Sequence, residues 1–418
     1  MLESSSDRAR DAAERVARQS YGKLVAYLAA RTGDVAGAED ALSEAFAAAL
    51  ETWPGQGVPK APEAWLLTAA RRRHIDAARK RRTGAQSAAH LLLLADEIEE
   101  NRLAAGDIPD DRLRLMFACA HPAIEQNIHA PLMLQTILGF DAATIASAFL
   151  VSPAGMAQRL VRAKAKIRLA GIPFRVPERA ELRWRLYPVL DAIYAAFAEG
   201  WTDPTGTEAR RRNLAEEGIW LGRLVASLLP DEAEALGLLA LMLHAEARRQ
   251  ARRDAAGDFV PLDAQDPRLW DQALIVEAER SLLAASALGA PGRFQLEAAV
   301  QSAHAARALT GETDWAAIAL LYDALHALTE SPVVAINRAV ALARSRDAPA
   351  GLAALDALAG DPRLDDYQPY WAARADLLAQ TGDRTAAAEA YDRAIGLESD
   401  PAVRRFLQAR RVRLSAAH

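Results

Sequence analysis

DAATIASAFLVSPAGMAQRLVRAKAKIR, residues 141–168, predicts two short helices joined by a tight turn. Asp141 is placed to cap the first helix, where main-chain N–H groups have no partner within the helix. Ile145 and Phe149 fall four apart and share a face. Leu150 and Val151 make the turn. Ser152 then offers a second cap, and Pro153 takes the first helical position, where its missing N–H costs nothing. Beyond it Met156, Leu160, Ala163 and Ile167 recur at spacings of three and four as an apolar stripe. Arg159, Arg162 and Lys166 make a cationic stripe on another face, with Lys164 and Arg168 nearby. A helix with one buried and one cationic face meets the requirement for lying in a DNA major groove. The same pattern also suits a basic helix on an ordinary surface.

The rest of the 418-residue chain has room for two or three domains with sizeable cores. It is rich in alanine, leucine and arginine, and only 6% of its residues are aromatic, which predicts an all-α protein. The net charge of -5 is unevenly spread. Residues 1–172 carry 22 Lys+Arg against 20 Asp+Glu, and residues 173–418 carry 28 against 35. Arg71 to Arg82 holds seven basic side chains and one acid, whereas Asp96 to Asp111 holds seven acids and one arginine. Clustered cations on a nearly neutral background point to local nucleic-acid contacts. Cys119 is the only cysteine, which excludes an internal disulfide and a thiolate metal cluster and favours the reducing cytoplasm. The charged start of the chain lacks the apolar core of a signal peptide. The uncharged run near Leu236–Ala245 is too short for a bilayer, which needs about 20 apolar residues.

Taken in order, residues 8–31 predict an amphipathic helix with Val16, Tyr21, Leu24, Val25 and Leu28 toward a core, ended by Gly33. A second helix from Asp34 to Glu51 turns Ala38, Ala41, Leu42, Ala45 and Ala49 inward. Asp40 and Glu44 lie four apart on its exposed face, either solvated or docked on a basic partner. Pro54, Gly55, Gly57, Pro59 and Pro62 predict a shaped loop from Pro54 to Pro62. A long helix follows from Glu63 to about Arg82, where Trp65, Leu66, Ala69 and Ile75 can pack. Asp76 can pair with Arg72 and Lys80 along the helix, and Arg71, Arg73, Arg79, Arg81 and Arg82 remain for phosphates.

An acidic helix of form AED-xxx-E-x-F, a Pro/Gly loop, W-LL-TAAR…ID, an acidic linker and a basic helix-turn-helix, in this order, resemble the extracytoplasmic-function (ECF) sigma factors of bacterial RNA polymerase. HPAI, AGIPF, GRLVASLLPDEAEALGLLALML and SPVVAINRAVA extend the resemblance to the members with a long helical, tetratricopeptide-like (TPR-like) extension. It implies sigma domain 2 over residues 1–82, a linker over 83–109, sigma domain 4 over 110–172 and the extension over 173–418.

The resemblance also implies residue roles. Asp40, Glu44 and Phe46 match the surface that docks on the clamp of the largest polymerase subunit, with Ser43 standing where glutamine is usual. Arg71, Arg72, Arg73, Arg79, Lys80, Arg81 and Arg82 match the helix at the −10 element, with Arg72 standing where asparagine is usual. The loop Pro54–Pro62 matches the segment that captures a flipped base, which needs a preformed pocket. Ser152, Gln158, Arg159, Arg162, Lys164 and Lys166 match the reader of the −35 element. Helices around Leu113–Leu138 match the part that sits on the flap of the second-largest subunit. The partners implied are core RNA polymerase and promoter DNA, with no cofactor, no metal and no membrane.

Beyond Leu182 the sequence reads as helix pairs, beginning with the stripe Leu186, Leu190, Ile193 and Phe197. NRAVALA at Asn337 returns as ARADLLA at Ala373, a 36-residue step. Ala375, Gly382, Ala387, Tyr391 and Ala394 follow tetratricopeptide spacing, and such arrays present concave protein-binding surfaces. No HExxH, phosphate loop or nucleophile elbow occurs, and His121, before Pro122, reads as a cap or core residue, so no enzyme is expected. A polymerase-independent helix-turn-helix regulator and a TPR adaptor are the alternatives. Two basic helices beside an acidic one favour the sigma factor.

Overall fold

The computed structural model describes residues 5–81, 111–149, 151–201 and 209–416, and across these the chain is all-α. It divides into two compact units, Met1–Gly200 and Trp201–His418.

The first unit is organised around helix α1 (Ser5–Thr32), which touches α2 (Val35–Gln56), α3 (Pro62–Arg81), α4 (Arg112–Cys119) and α5 (Gln126–Leu138). Leu24, Val25 and Leu28 of α1 are buried. Gly33 ends α1 at φ +65, a left-handed conformation that suits glycine. Asp34 then caps α2, accepting from the Gly37 N–H at 3.1 Å. At Gly22 the main chains of α1 and α5 approach so closely that a Cβ would stand 2.1 Å from the Ile137 carbonyl oxygen.

The loop expected from Pro54 is shorter than the sequence suggests. Helix α2 runs through Trp53 and Pro54 to Gln56, and Gly57 closes it by donating to the Trp53 carbonyl at 2.9 Å. Trp53 is 1% exposed and meets Trp65 edge-on at 5.6 Å. Burying an indole of roughly 200 Å² contributes about 5 kcal/mol. That exceeds the roughly 3 kcal/mol that a proline inside a helix costs.

Helices α6 (Ala142–Ala148) and α7 (Pro153–Leu169) form the helix-turn-helix. Ile172 and Pro177 are buried after it, Phe174 is half-buried, and Val176 faces solvent. Helix α8 (Arg179–Trp201) buries the expected stripe Leu186, Leu190, Ile193 and Phe197. Through Gly200 it groups with the first unit, and Arg185 donates to the Phe117 carbonyl on α4 at 3.1 Å.

The second unit runs α9 (Ala209–Leu228), α10 (Ala233–Ala247), α11 (Gln272–Ala287), α12 (Arg293–Ala305), α13 (Arg307–Thr310), α14 (Trp315–Thr329), α15 (Pro332–Ser345), α16 (Ala348–Asp356), α17 (Gln368–Thr381), α18 (Arg384–Leu397) and α19 (Pro401–Ala416). From α14 onward each helix packs on the next. Helix α10 is buried almost all round between α11 and α12, and its Glu234 accepts from the Phe294 and Gln295 N–H groups at 3.0 Å each, capping α12. The 36-residue step reappears as geometry. Arg338 reaches back to Asp323 at 2.5 Å, and Arg374 reaches back to Asp356 at 2.5 Å. Arg410, one step further, holds Asp376 at 2.8 Å.

Candidate nucleic-acid interface

Local capping builds helix α7. Asp141 accepts from the Thr144 N–H at 2.8 Å and from the Thr144 hydroxyl at 2.8 Å. Ser152 accepts from the Gly155 N–H at 3.2 Å, and Pro153 opens α7. Met156, Leu160, Ala163 and Ile167 are all buried, which fixes the rotation of the helix. Ser152, Gln158, Arg159, Arg162 and Lys166 are consequently exposed. Arg159, Arg162 and Lys166 line an open cleft of about 450 Å³ with Glu125, Asn127 and Ile128 at the start of α5. Arg159 and Lys166 have no carboxylate partner among the described residues.

Lys164 and Arg168 belong to a different contact. Lys164 pairs with Glu39 of α2 at 2.6 Å, with both side chains only 11% exposed, and Arg168 reaches Asp34 at 3.4 Å. Burial raises the Glu39 carboxyl above its ordinary pKa, and Lys164 pulls it the other way. In this arrangement Lys164 turns toward Glu39 on α2. Neither partner was foreseeable from spacing, since they lie more than a hundred residues apart.

On α2, Asp40 and Glu44 are exposed and Phe46 is half-buried. Glu44 also meets Arg73 of α3 at 3.4 Å, so the acidic face and the basic helix adjoin. Arg72 is exposed, and Arg71 and Arg73 are half-buried. Arg79, Lys80 and Arg81 continue the backbone of α3. Arg82, the linker 83–109 with its Leu91–Leu94 run, and most of the acidic run to Asp111 lie outside the described residues. Asp111 itself is buried and receives Arg31 at 3.1 Å.

Among the described residues no three His, Cys, Asp or Glu side chains converge as metal ligands. His121 accepts from the Ala123 N–H at 3.1 Å as a turn cap, and His129 contacts the Ile124 carbonyl at 3.0 Å. The Cys119 thiol is pushed up to about 12 by burial, which keeps it protonated and unreactive. No helix among the described residues is long and apolar enough to cross a membrane.

Comparison with known proteins agrees with the helical layout. A sigma-70 region 2 model matches residues 16–83, spanning α1 to α3, and supports a sigma-factor-like role in promoter recognition. A family of unknown function (DUF6596) matches residues 185–286. No solved structure matches the chain. The uncharacterized protein R00370 of Rhizobium meliloti (strain 1021) is 39% identical over 402 residues, covering 95% of this chain and 94% of its own length. The chain therefore belongs to one family with R00370, and within it carries a sigma-70 region 2 ahead of a DUF6596 segment.

Proposed function

We propose that this protein is a cytoplasmic ECF sigma factor with a TPR-like C-terminal extension. Residues 1–82 act as sigma domain 2, 83–109 as the linker, 110–172 as sigma domain 4 and 173–418 as a regulatory or protein-binding module. Asp40, Glu44 and Phe46 dock on the clamp of core RNA polymerase, and the helices around Leu113–Leu138 sit on the flap. The basic run of α3 engages the −10 element, and Arg159, Arg162 and Lys166 of α7 engage the −35 element without a cofactor. One observation carries this reading: a sigma-70 region 2 match lies in the same compact unit as a capped helix-turn-helix with an outward cationic face. A regulator acting alone needs one reader helix, and this chain offers two basic helices beside an acidic face.

Run-off transcription with purified core polymerase over fragments selected by the protein tests the reading. Promoter-specific transcripts that depend on this chain are expected. Tight binding to the selected fragments without any transcript would make the protein a polymerase-independent regulator.

A further inference from the structure

The second unit encloses a cleft of about 380 Å³ that belongs to none of the surfaces described so far. It draws side chains from α12, α13, α14, α15, α17, α18 and α19, from Thr313 and from the segment Pro261–Asp263. Its size falls within the range of small-molecule sites, roughly 300–1,000 Å³. Trp315, Tyr391 and Phe406 supply much of the apolar wall.

The charges on that wall do not cancel. Arg307, Arg344 and Arg410 line it, opposed by Asp263 and Asp376. Each carboxylate already has an arginine: Asp263 holds Arg344 at 2.6 Å, and Asp376 holds Arg410 at 2.8 Å. Arg307 has no carboxylate among the described residues. It is held by the main-chain carbonyls of Leu262, Asp263 and Gln265, at 2.8 to 3.1 Å, and stands over the Trp270 ring at 5.2 Å. Those bonds orient the guanidinium and leave its charge uncompensated.

Neighbouring groups deepen the imbalance. Arg248 donates to the His244 carbonyl and to Gln301, with no carboxylate partner among the described residues. Burial and the charges of Arg252 and Arg307 push its guanidinium down to about 10. His304, on the cleft wall, is pushed down to about 4 by burial and by Arg248 and Arg307, so it is neutral near pH 7. The field in this part of the cleft is positive, and an uncompensated guanidinium in a partly dry site attracts an anion. The aromatic rings are already engaged by cations, Arg344 over Trp315 at 5.1 Å and Arg410 over Phe406 at 5.3 Å, which holds both guanidinia on the wall.

We propose that this cleft binds a small organic acid, its carboxylate on Arg307 and its apolar body against Trp315, Tyr391 and Phe406. The occupant is a free acid and not a protein segment, because the enclosed volume suits a molecule of modest size. A ligand on Arg307, Trp315, Tyr391 and Phe406 touches four helices at once, so it stabilises the unit on binding.

Calorimetric titration of the full-length protein with phenylacetate, cinnamate and octanoate tests this, alongside thermal melts. Saturable binding of at least one acid is expected, with a raised melting midpoint. Phenethyl alcohol, which has the ring without the charge, is expected to bind at least about tenfold more weakly. Arg307→Met is expected to weaken the acid at least about tenfold, whereas Arg268→Met leaves binding unchanged. Where Arg307→Met does not fold, the acid and the alcohol on the wild-type protein decide the matter by themselves. The proposal is overturned by an absence of binding at millimolar acid, by equal binding of the alcohol, or by binding confined to an acetylated tripeptide ending in phenylalanine. The experiment uses no polymerase, so its failure leaves the sigma-factor reading standing.

Discussion

The two units use the same residue type in different proportions. In the C-terminal unit most of the paired arginines serve the fold, with Arg307 the exception: Arg253 joins Asp400, Arg405 joins Asp258 at 2.6 Å, and Arg338 and Arg374 tie neighbouring helices. In the N-terminal unit helix α7 divides its cations. Lys164 and Arg168 hold α2, while Arg159 and Lys166 have no carboxylate among the described residues. A guanidinium becomes available to an outside partner where the fold withholds an internal one. Composition counts arginines, but only the partners distinguish the two uses.

The largest effect expected is on the exposed set. Changing Arg159 and Arg162 together to Ala removes contacts worth roughly 1–3 kcal/mol each if they are bidentate to a base. Promoter affinity, measured by fluorescence anisotropy at physiological salt, is expected to fall by one to several orders of magnitude. The thermal midpoint is expected to stay put, because both side chains are exposed. Loss of stability with intact affinity would erase the contrast between the units.

What could be read in advance follows the same division. Caps and periodicity act within a few residues, so Asp34, Asp141, Ser152 and the buried stripe Met156 to Ile167 were legible in the sequence. Partners chosen across the fold were not. Helical spacing sets Lys164 off the stripe of Arg159, Arg162 and Lys166, but what it meets there, Glu39, lies 125 residues earlier and was not legible. The extension of α2 past Pro54 was missed for a related reason. A proline is a local signal, whereas the burial of Trp53 against Trp65 depends on where α3 returns. Helix α8 likewise meets the first unit through a long-range bond, Arg185 to Phe117, that spacing does not reveal.

A second test probes the structural arginines. The side chains of Arg253 and Asp400 are 10% and 21% exposed, and the pair ties the segment after α10 to the start of α19. Arg253→Ala leaves Asp400 poorly compensated, at a cost of about 3 kcal/mol. Urea unfolding should show that loss, with promoter affinity of the folded protein unchanged. A variant as stable as the wild type would mean that the pair is ornamental.

A third test concerns Lys164, the cation that looks like a reader and is held as a strut. Lys164→Met leaves Glu39 buried without its cation, at a cost of about 2 kcal/mol near neutral pH. Glu39 can escape that cost by taking a proton, since its native pKa is already raised. The native state thus binds more protons than the unfolded chain between the ordinary carboxylate pKa of 4.5 and the raised one, so Glu39's contribution to stability falls as pH rises through that window. The penalty in Lys164→Met is expected to shrink on acidification, and Glu39→Gln is expected to remove that pH dependence. DNA affinity should move far less than with Arg159 and Arg162. Equal losses of affinity would place Lys164 among the readers after all.

The smallest effect is expected where an ion pair looks best on geometry alone. Two turns share the sequence DPRL, at Asp266–Leu269 and Asp361–Leu364, and in each the arginine folds back on the aspartate two residues before it. The guanidinium meets both carboxylate oxygens, with Arg268 at 2.7 to 3.0 Å and Arg363 at 2.6 to 3.1 Å. Yet both arginines are well exposed, and water competes for each charge. The pair also spans only two residues, so it forms nearly as easily in the unfolded chain and favours neither state. The aspartate does a separate job, accepting the arginine's own main-chain N–H at 3.0 Å in both turns. That bond survives when the side chain is replaced. Arg268→Gln and Arg363→Gln should therefore leave the thermal midpoint unchanged, while Asp266→Ala and Asp361→Ala lower it by uncapping the turn. An arginine variant that melts as early as its aspartate partner would show the side-chain pair, and not the main-chain bond, to be what holds the turn.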